Sequence, residues 1–452
     1  MDCDKAYQQC LDRLKWATHQ LEIEVEDDAL LSIADLIVQP MTGPWRYFHT
    51  PEHIFDVGGT EDPIEVLAAL FHDVVYVQVD RSINFNLSYY IASFVKEVQG
   101  QLRIRDAGEL PDDRMFEMVL SVFGFAPARV LSPMAGQNEF LSALVAVKAL
   151  ESILKLRHLT EIAACIEATI PFRKPSPEGR TVSEELFDRI KTTNAQFDLH
   201  LSEEEIVNIV KRAVQVSNRD VIGFAHPNSA IFLDNTWNLL PETNHNLVNS
   251  NSYTVREYRS SLQKMEGFMN FLTPQVVFRQ FRGEPDDATY QKWMTRAKEN
   301  IEVARLYLGS KLFAIACVEA LSLRVGLDIP VSTMMGELPS QSPEGAHFED
   351  YIPEILNAYP PKNDLEKEVL TLLEEGRNQS SIHDIKHSPI ATFMVKVVGF
   401  DEIRIQLDRA KKFFDREISP EDFLAGCNKK VTEVITNAVV KVFDCRKSAL
   451  QR

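Results

Sequence analysis

Long apolar runs are missing from this 452-residue sequence. No stretch approaches the roughly 20 apolar residues that a membrane-spanning helix requires. The first residues, "MDCDKAYQQCLDRLKW", carry acidic side chains where a signal peptide has positive charge followed by an apolar segment. We therefore expect neither a membrane span nor export, and we expect a cytoplasmic protein.

Cysteines are few, and no two of them have CxxC spacing. The six are Cys3, Cys10, Cys165, Cys317, Cys427 and Cys445. Such scattered spacing argues against a zinc ribbon and against a framework of disulfide bonds. The cysteine pattern therefore favours a reducing compartment.

Basic residues are in deficit, because 48 Lys and Arg stand against 66 Asp and Glu, which gives a formal net charge of -18. A chain with this charge repels a nucleic-acid backbone unless its basic residues are concentrated locally. Nucleic acid is therefore not an expected partner. A small anionic molecule remains compatible with the composition, since a bound metal ion reverses the local field.

Strand-like alternation is also scarce, whereas helical periodicity runs through most of the chain. Segments such as "SALVAVKALESILKL" and "TEIAACIEATI" place apolar residues three and four apart. Ser202 followed by Glu205 predicts a capping box at the start of another helix. The segment 226–254 is rich in Asn and Pro, which predicts a loop-broken connection. We predict an all-α fold, and the chain length favours two domains.

Two histidines flank a predicted helix start in "WRYFHTPEHIF". Thr50 suits the N-cap position and Pro51 suits the first helical position, so the helix is expected to begin directly after His49. His49 then lies at the mouth of the helix, and His53 lies in its first turn.

The next predicted helix, in "VLAALFHDVVY", carries an aspartate on its apolar face. Val66, Leu70 and Asp73 fall on this face at spacings of four and three. A lone buried carboxylate there costs several kcal/mol or takes up a proton. A metal ion would remove that cost, with His72 and His49 as nitrogen ligands.

An alternative interpretation of these histidines stays open, because a histidine near an apolar face is commonly a hydrogen-bonded core residue. The chain also contains a second His-Asp pair, His383 and Asp384, in "SSIHDIKHSP". This pair lies among Ser, Gln and Pro rather than in an apolar helix. We interpret it as a loop feature.

Three ordered motifs connect the first half of the chain to a known family. They are "YFHTPEH", "FHDVVY" and "NEFLSA". This pattern resembles the HD-domain superfamily of metal-dependent phosphohydrolases, in particular a predicted bacterial branch with "YHN..H", "FHD.VY" and "NE..SA" segments. The likeness covers about residues 1–240. It implies an HD-domain helical bundle for this part of the chain. The sequence departs from the family between "FHDVVY" and "NEFLSA", where we expect a long insertion at about 78–135. The remainder, 241–452, is expected to form a second helical domain of unknown role.

The resemblance implies a divalent metal ion, which would be Mn, Fe, Mg, Co or Zn. Its ligands would be His49, His72, Asp73 and Asp220. Asp234 in "FLDNTW" competes with Asp220 for the distal position. Such mixed nitrogen and oxygen ligands leave coordination positions for water and for a phosphate oxygen.

The resemblance also implies catalytic roles for three further residues. His53 would support the metal ligands or contact the substrate, and Glu139 would position the water or order a histidine. Arg46 would hold a phosphate through two parallel hydrogen bonds. A helix cap is the alternative role for Glu139, and an ordinary surface position is the alternative for Arg46. Where the family places another histidine, either Arg173 or Lys174 would contact phosphate, or the site would lack a second metal ion.

We therefore predict a cytoplasmic metal-dependent phosphohydrolase. Its substrate would be a small phosphorylated molecule, namely a phosphomonoester, a nucleotide or a nucleotide second messenger. An HD-type di-iron oxygenase and a non-catalytic ligand-binding sensor are the alternatives. The amphipathic segment 293–323 predicts a helical bundle in the second half, and such a bundle is compatible with a homodimer.

Overall fold

The computed structural model is all-α, as predicted, apart from one two-stranded hairpin. It describes residues 2–249, 251–338, 347–355 and 358–442. Up to residue 225 the elements are α1 (Cys3–Gln20), α2 (Asp27–Met41), α3 (Pro51–Gly58), α4 (Pro63–Phe71), α5 (Val77–Asp80), α6 (Phe85–Ile91), β1 (Val95–Val98), β2 (Gln101–Ile104), α7 (Arg114–Phe123), α8 (Gln137–Leu150), α9 (Leu156–Ala168), α10 (Val182–Phe197) and α11 (Glu203–Asp220). The later elements are α12 (Ser229–Thr243), α13 (Val255–Phe271), α14 (Pro274–Val277), α15 (Asp287–Ser322), α16 (Val331–Met335), α17 (Asp364–Glu374), α18 (Pro389–Phe414, interrupted at Gly399), α19 (Pro420–Ala425) and α20 (Lys429–Val442).

The chain divides into two compact units. Unit 1 consists of the residues up to Ala225 together with Pro274–Thr295. Unit 2 consists of His226–Thr273 and the chain from Arg296 onward. The first unit therefore ends before the predicted boundary at residue 240, and it includes a later segment that the sequence places in the second domain. Within the described ranges, no helix combines the length and the apolarity needed to cross a membrane.

Helix α9 lies at the centre of unit 1 and packs against α4, α7, α8 and α11. Every residue from Leu159 to Ala168 is buried, which includes the small residues Ala163 and Ala164. Helix α4 is buried from Ile64 to its end. A helix that is buried on all sides is a core helix, and the buried glutamates of α9, Glu161 and Glu167, are paired with arginines. The helices around the site described below are therefore held by packing on several faces.

The predicted insertion, 78–135, belongs to the core of unit 1. Its Phe94 and Phe116 rings stack with centroids 4.3 Å apart. Phe116 and Phe123 in turn meet the ring of Phe140 edge to face, at centroid distances of 6.4 and 5.4 Å. Phe140 lies on α8, so these aromatic contacts attach the insertion to the helix that carries "NEFLSA".

The hairpin within this region is closed by a two-residue turn. β1 and β2 pair antiparallel, with Val95 opposite Ile104. Gln99 and Gly100 form the turn, and both have positive φ, at 54° and 76°. Two successive residues with positive φ match the right-handed twist of the flanking strands.

The segment 226–254 contains a helix, so the prediction of a loop-broken connection is wrong for most of its length. α12 begins where the Asn228 side chain accepts a hydrogen bond from the Ala230 amide, at 2.8 Å. Pro241 lies in its last turn, and Trp237 is 1% exposed. Burial of apolar side chains outweighs the low helix propensity of Asn and Pro here.

Helix α8 starts at a glycine that needs its conformational freedom. Gly136 has a φ of 87°, and a β-carbon built there would lie 2.5 Å from Cδ1 of Ile170. We expect Gly136→Ala to lower the free energy of unfolding by about 1–3 kcal/mol, because the backbone strain adds to a steric clash. The matched control is Gly108→Ala, since nothing lies within 4 Å of that position. Thermal melting followed by circular dichroism compares the two, and equal melting temperatures would contradict this role of Gly136.

Candidate metal site in unit 1

The first residues of the site come from the start of α3. The helix begins at Pro51 with Thr50 as N-cap, as predicted. His53 falls in its first turn, and His49 directly precedes the cap. The two imidazole rings are nearly perpendicular, with centroids 5.8 Å apart, and His49 also meets the ring of Tyr76 at 4.5 Å.

His72 and Asp73 lie at the end of α4 rather than inside a longer helix. The predicted helix through Tyr76 is wrong, because α4 ends at Phe71 and His72 is its C-cap. The His72 Nδ1 donates a hydrogen bond to the Ala69 carbonyl at 2.8 Å. This bond fixes the orientation of the imidazole ring and leaves Nε2 as its remaining nitrogen.

Side chains of α8 explain why the chain leaves the helix here. Ser142 Oγ accepts a hydrogen bond from the Val75 amide at 3.1 Å, and Asn138 Oδ1 accepts one from the Val77 amide at 3.2 Å. A buried backbone amide outside a helix needs such a partner. Two of the sequence motifs, "FHDVVY" and "NEFLSA", are therefore in direct contact.

Asp220 is the last residue of α11, and its neighbours fix this end of the helix. Arg219 donates from Nε to a carbonyl of α3 at 2.6 Å and from Nη2 to Glu65 on α4 at 2.5 Å. Asn218 exchanges two hydrogen bonds, each 2.9 Å long, with the backbone of Arg279. The returning segment 274–295 thus helps to place Asp220.

The competing distal residue, Asp234, belongs to unit 2. Its carboxylate accepts a hydrogen bond from the Gln379 amide at 3.1 Å and lies 3.3 Å from Arg377 Nε. These two contacts give Asp234 a role within unit 2. Of the two candidates, Asp220 is the one that lies with the other site residues.

Four side chains converge, namely His53, His72, Asp73 and Asp220, and one ligand atom from each lies within 4.8 Å of the others. His53 Nε2 is 3.1 Å from Asp220 Oδ1 and 3.6 Å from Asp73 Oδ2. His72 Nε2 is 3.0 Å from Asp73 Oδ2 and 3.5 Å from Asp220 Oδ1. Ligand atoms bound about 2.0–2.2 Å from one ion lie at comparable distances from one another. His49 is not one of these four, although the sequence names it as a ligand and gives His53 a supporting role.

The His72 ring supplies a test of whether a cation fits. The residue is 1% exposed, and its Nε2 has no hydrogen-bond partner within the described part of the chain. The nearest carboxylate oxygens belong to Asp73, at 3.0 Å, and to Asp220, at 3.5 Å. A buried nitrogen in this state normally has a partner. A metal ion between the carboxylates would provide it.

The charges of the site also favour a cation. Burial would lower the pKa of His72, but the charges of Asp73 and Asp220 outweigh it and raise the pKa well above its ordinary value. Burial would likewise raise the pKa of Asp73, but the neighbouring His72 and His49 keep it depressed. Two ionised carboxylates at one point require positive charge, either from protons on histidine or from a metal ion.

Glu139 lies in the first turn of α8 with its carboxyl group buried. Burial raises its pKa to about 7, with the charges of Asp73 and Asp220 acting in the same direction and Arg173 opposing them. Its Oε2 has no hydrogen-bond partner among the residues that the structure describes. The carboxyl group is thus close enough to respond to the charge of the cluster.

Arg46 is engaged by protein groups. Its guanidinium donates to Asp80 from Nε at 2.9 Å and from Nη2 at 2.7 Å. Its Nη1 donates to the backbone carbonyl of Asp73 at 2.9 Å. These contacts indicate a positioning role, in which Arg46 holds the turn that carries Asp73, instead of the predicted grip on phosphate.

Other arginines lie around a buried glutamate at the end of α9. Glu167 is 1% exposed and pairs with Arg173 at 2.6 Å and with Arg189 at 2.5 Å. Arg279 donates to the carbonyls of Ala168 and Ile170. The sequence suggests Arg173 as a phosphate contact. It does not point to Arg279, because this residue belongs to the segment 274–295, which returns to unit 1 after part of unit 2. Lys174 is exposed.

Comparisons of the chain with protein-family models, with curated proteins and with solved structures find no match. We therefore infer a function from the geometry of the site. The sequence signal for His53 as a ligand was its spacing of four from His49, which places two imidazoles near one helix start. The sequence does not say which of the two rings is a ligand, whereas the folded helix places the His53 ring among the four converging side chains.

The choice between these histidines is testable. We expect His53→Ala to weaken metal binding by at least about tenfold, because it removes one of four converging ligands. His49→Ala is the matched control and should retain most of the metal, because its ring lies outside the set of four. Metal content after dialysis against a graded chelator measures both. Loss of metal in His49→Ala alone would favour the ligand set named from the sequence.

Proposed function

We propose that unit 1 is a metal-dependent phosphohydrolase of the HD-domain superfamily. The observation that carries the proposal is the convergence of two imidazoles and two carboxylates, one imidazole nitrogen being buried without a hydrogen-bond partner in the described chain. Mixed nitrogen and oxygen donors suit Mn, Fe, Mg, Co or Zn as a divalent ion. The contact between "FHDVVY" and "NEFLSA" supports the family resemblance, since it joins two of its motifs.

The four proposed ligands divide into an inner and an outer side. His72 is 1% exposed, whereas the side chains of His53, Asp73 and Asp220 are 12%, 16% and 17% exposed. The side formed by these three residues is therefore the side from which a small substrate would reach the site. A bound divalent ion would supply an acidified water and would draw charge from a phosphoryl oxygen.

Glu139 is the proposed group for orienting water and accepting its proton. Its Oε2 is buried without a partner in the described structure, and the carboxyl lies near both aspartates electrostatically. A carboxyl that exchanges a proton near neutral pH suits general acid-base chemistry. A role as a simple helix cap would not explain the unpartnered oxygen.

Positive charge near the site supports a phosphorylated substrate. The guanidinium charge of Arg173 acts on Glu139, and that of Arg279 interacts with both Glu139 and Asp220. The Nε of Arg173 is buried with no hydrogen-bond partner in the described residues. Glu167 offsets the charge of Arg173, whereas Arg279 donates to uncharged backbone carbonyls, so Arg279 adds positive charge beside the cluster in a chain with a net charge of -18. A phosphomonoester, a nucleotide or a nucleotide second messenger fits this chemistry.

The metal and the hydrolysis are tested together with Asp73→Ala. We expect near-stoichiometric metal in the purified wild-type protein and metal-dependent phosphate release from a panel of phosphomonoesters and nucleotides. The variant should lose the metal and at least about 99% of the activity, because the site then lacks one of its two carboxylates. Asp112→Ala, at an exposed position, is the matched control and should change neither quantity.

Two results of this experiment would overturn the proposal. Two bound irons with oxygen consumption and no phosphate release would identify an oxygenase instead. Absence of metal from the wild-type protein, even after supplementation with each candidate ion, would leave a non-catalytic ligand-binding protein. Circular dichroism of the variant shows whether its helical fold is intact.

The role of Glu139 has a separate test. We expect Glu139→Gln to reduce kcat by about 100-fold or more, because the amide cannot accept the proton of the attacking water. The metal content should stay at the wild-type level, since Glu139 is not among the four ligands. Activity assays and elemental analysis of the same preparation separate the two effects. Full activity in the variant would assign Glu139 a purely structural role.

A further inference from the structure

Unit 2 holds two free cysteines side by side, although they are far apart in the sequence. Cys317 lies in α15 and is buried, whereas Cys427 lies two residues after the end of α19 and is 6% exposed. The Cys317 thiol forms a hydrogen bond with the Cys427 sulfur. Each sulfur is therefore within reach of the other.

Ring contacts hold the two chain segments in this register. Phe313 precedes Cys317 by four residues, and Phe423 precedes Cys427 by the same spacing. Both rings are buried, and they meet edge to face with centroids 6.4 Å apart. Cys427 Sγ donates to the Phe423 carbonyl at 3.3 Å, which keeps the thiol next to that ring. Residues four apart on a helix lie on one face, so the contact of the rings also brings the thiols together.

An arginine of α18 lies beside the second cysteine. Arg409 Nη2 donates to the Asp422 carbonyl at 3.0 Å. Its guanidinium also lies against the backbone of Gly426, where a β-carbon would overlap it. Gly426 directly precedes Cys427, so a positive charge is close to this thiol.

The two thiols differ in acidity as a result. The hydrogen bond from Cys317 lowers the pKa of Cys427 against the effect of burial, and the charge of Arg409 acts in the same direction. The same hydrogen bond, together with burial, raises the pKa of Cys317 well above its ordinary value. Because the thiolate is the nucleophilic form of cysteine, Cys427 is the thiol that reacts first with an oxidant.

An oxidant needs to reach only Cys427. The helix before it, α19, has 6 residues, and the neighbouring Ala425, Gly426 and Asn428 are exposed. A short segment with exposed backbone opens locally at a small cost in free energy. A molecule as small as a hydroperoxide can enter through such an opening.

We propose that Cys317 and Cys427 form a reversible disulfide when unit 2 meets a hydroperoxide, and that this bond fastens α19 to α15. The scattered cysteines of the chain favour a reducing compartment. Disulfides in such a compartment are usually transient, and they serve in catalysis or in redox sensing. The proposal does not depend on hydrolysis in unit 1.

The chemistry takes two steps. The Cys427 thiolate attacks one oxygen of hydrogen peroxide, the O–O bond breaks, and hydroxide leaves while a sulfenic acid forms on Cys427. The Cys317 sulfur then attacks the Cys427 sulfur, the S–O bond breaks, and the S–O oxygen leaves as water with the proton of Cys317. Two thiols are oxidised to one disulfide, and one peroxide is reduced to two waters.

The test treats the folded full-length protein with hydrogen peroxide and maps its cysteines by mass spectrometry. Trypsin releases each thiol in a peptide of its own, "LFAIACVEALSLR" for Cys317 and "EISPEDFLAGCNK" for Cys427. We expect these two peptides to become linked, with the loss of two hydrogen atoms, and dithiothreitol to separate them. Linkage should be at least about tenfold faster than oxidation of Cys165, whose pKa is raised by burial.

Two variants separate the roles of the thiols. In Cys317→Ser the sulfenic acid on Cys427 has no thiol beside it, so dimedone should label Cys427. In Cys427→Ser the attacking thiol is missing, and Cys317 should stay reduced. Cys3→Ser is the control, since this exposed cysteine lies in unit 1 and should leave the linkage unchanged.

Several results would overturn the proposal. Both thiols could stay free in the peroxide-treated wild-type protein, or the linkage could appear only after circular dichroism shows unfolding. Linkage of Cys317 to a different cysteine would also overturn it, as would oxidation of Cys317 at the wild-type rate in Cys427→Ser. If a variant does not fold, the peptide map of the wild-type protein decides the question.

Discussion

The site in unit 1 depends on one constraint, which is that two carboxylates, those of Asp73 and Asp220, lie close together and need positive charge beside them. Asp73 follows α4 and Asp220 ends α11, and the pair approaches the same two imidazoles. Packing of buried helices brings the two chain segments together, but it does not neutralise their charge. Protons on histidine or a divalent cation must do so. The nearby hydrogen bonds, such as that from Arg46 to the Asp73 carbonyl, then fix where the carboxylates lie.

Helical periodicity predicted the all-α fold because burial in helices repeats every three to four residues. The start of α3 followed from the chemistry of Thr50 and Pro51, which acts locally. The end of α4 could not be predicted in the same way, because Ser142 and Asn138 supply the acceptors that satisfy the chain after it. A local pattern contains no information about acceptors more than sixty residues away.

The polar segment around His383 shows the same limit in unit 2. Its composition predicted a loop, and the backbone is indeed without helix or strand there, but both His383 and Asp384 lie inside the unit. Tyr258 and Lys311, from two different helices, supply the hydrogen bonds that allow this burial. Polar composition predicts exposure only when such partners are absent.

The two His-Asp pairs of this chain carry the same dipeptide but face opposite charge balances. His72 and Asp73 lie beside a second carboxylate, Asp220, and this concentration of negative charge is the basis of the proposed cation site. Asp384 instead faces Lys311 and Arg377, and burial lowers the pKa of the histidine beside it, so the imidazole of His383 is neutral near pH 7. The dipeptide itself does not distinguish the two cases. The charges that the fold places around each pair do distinguish them, because neighbouring charges and burial decide which protonation state a buried group adopts.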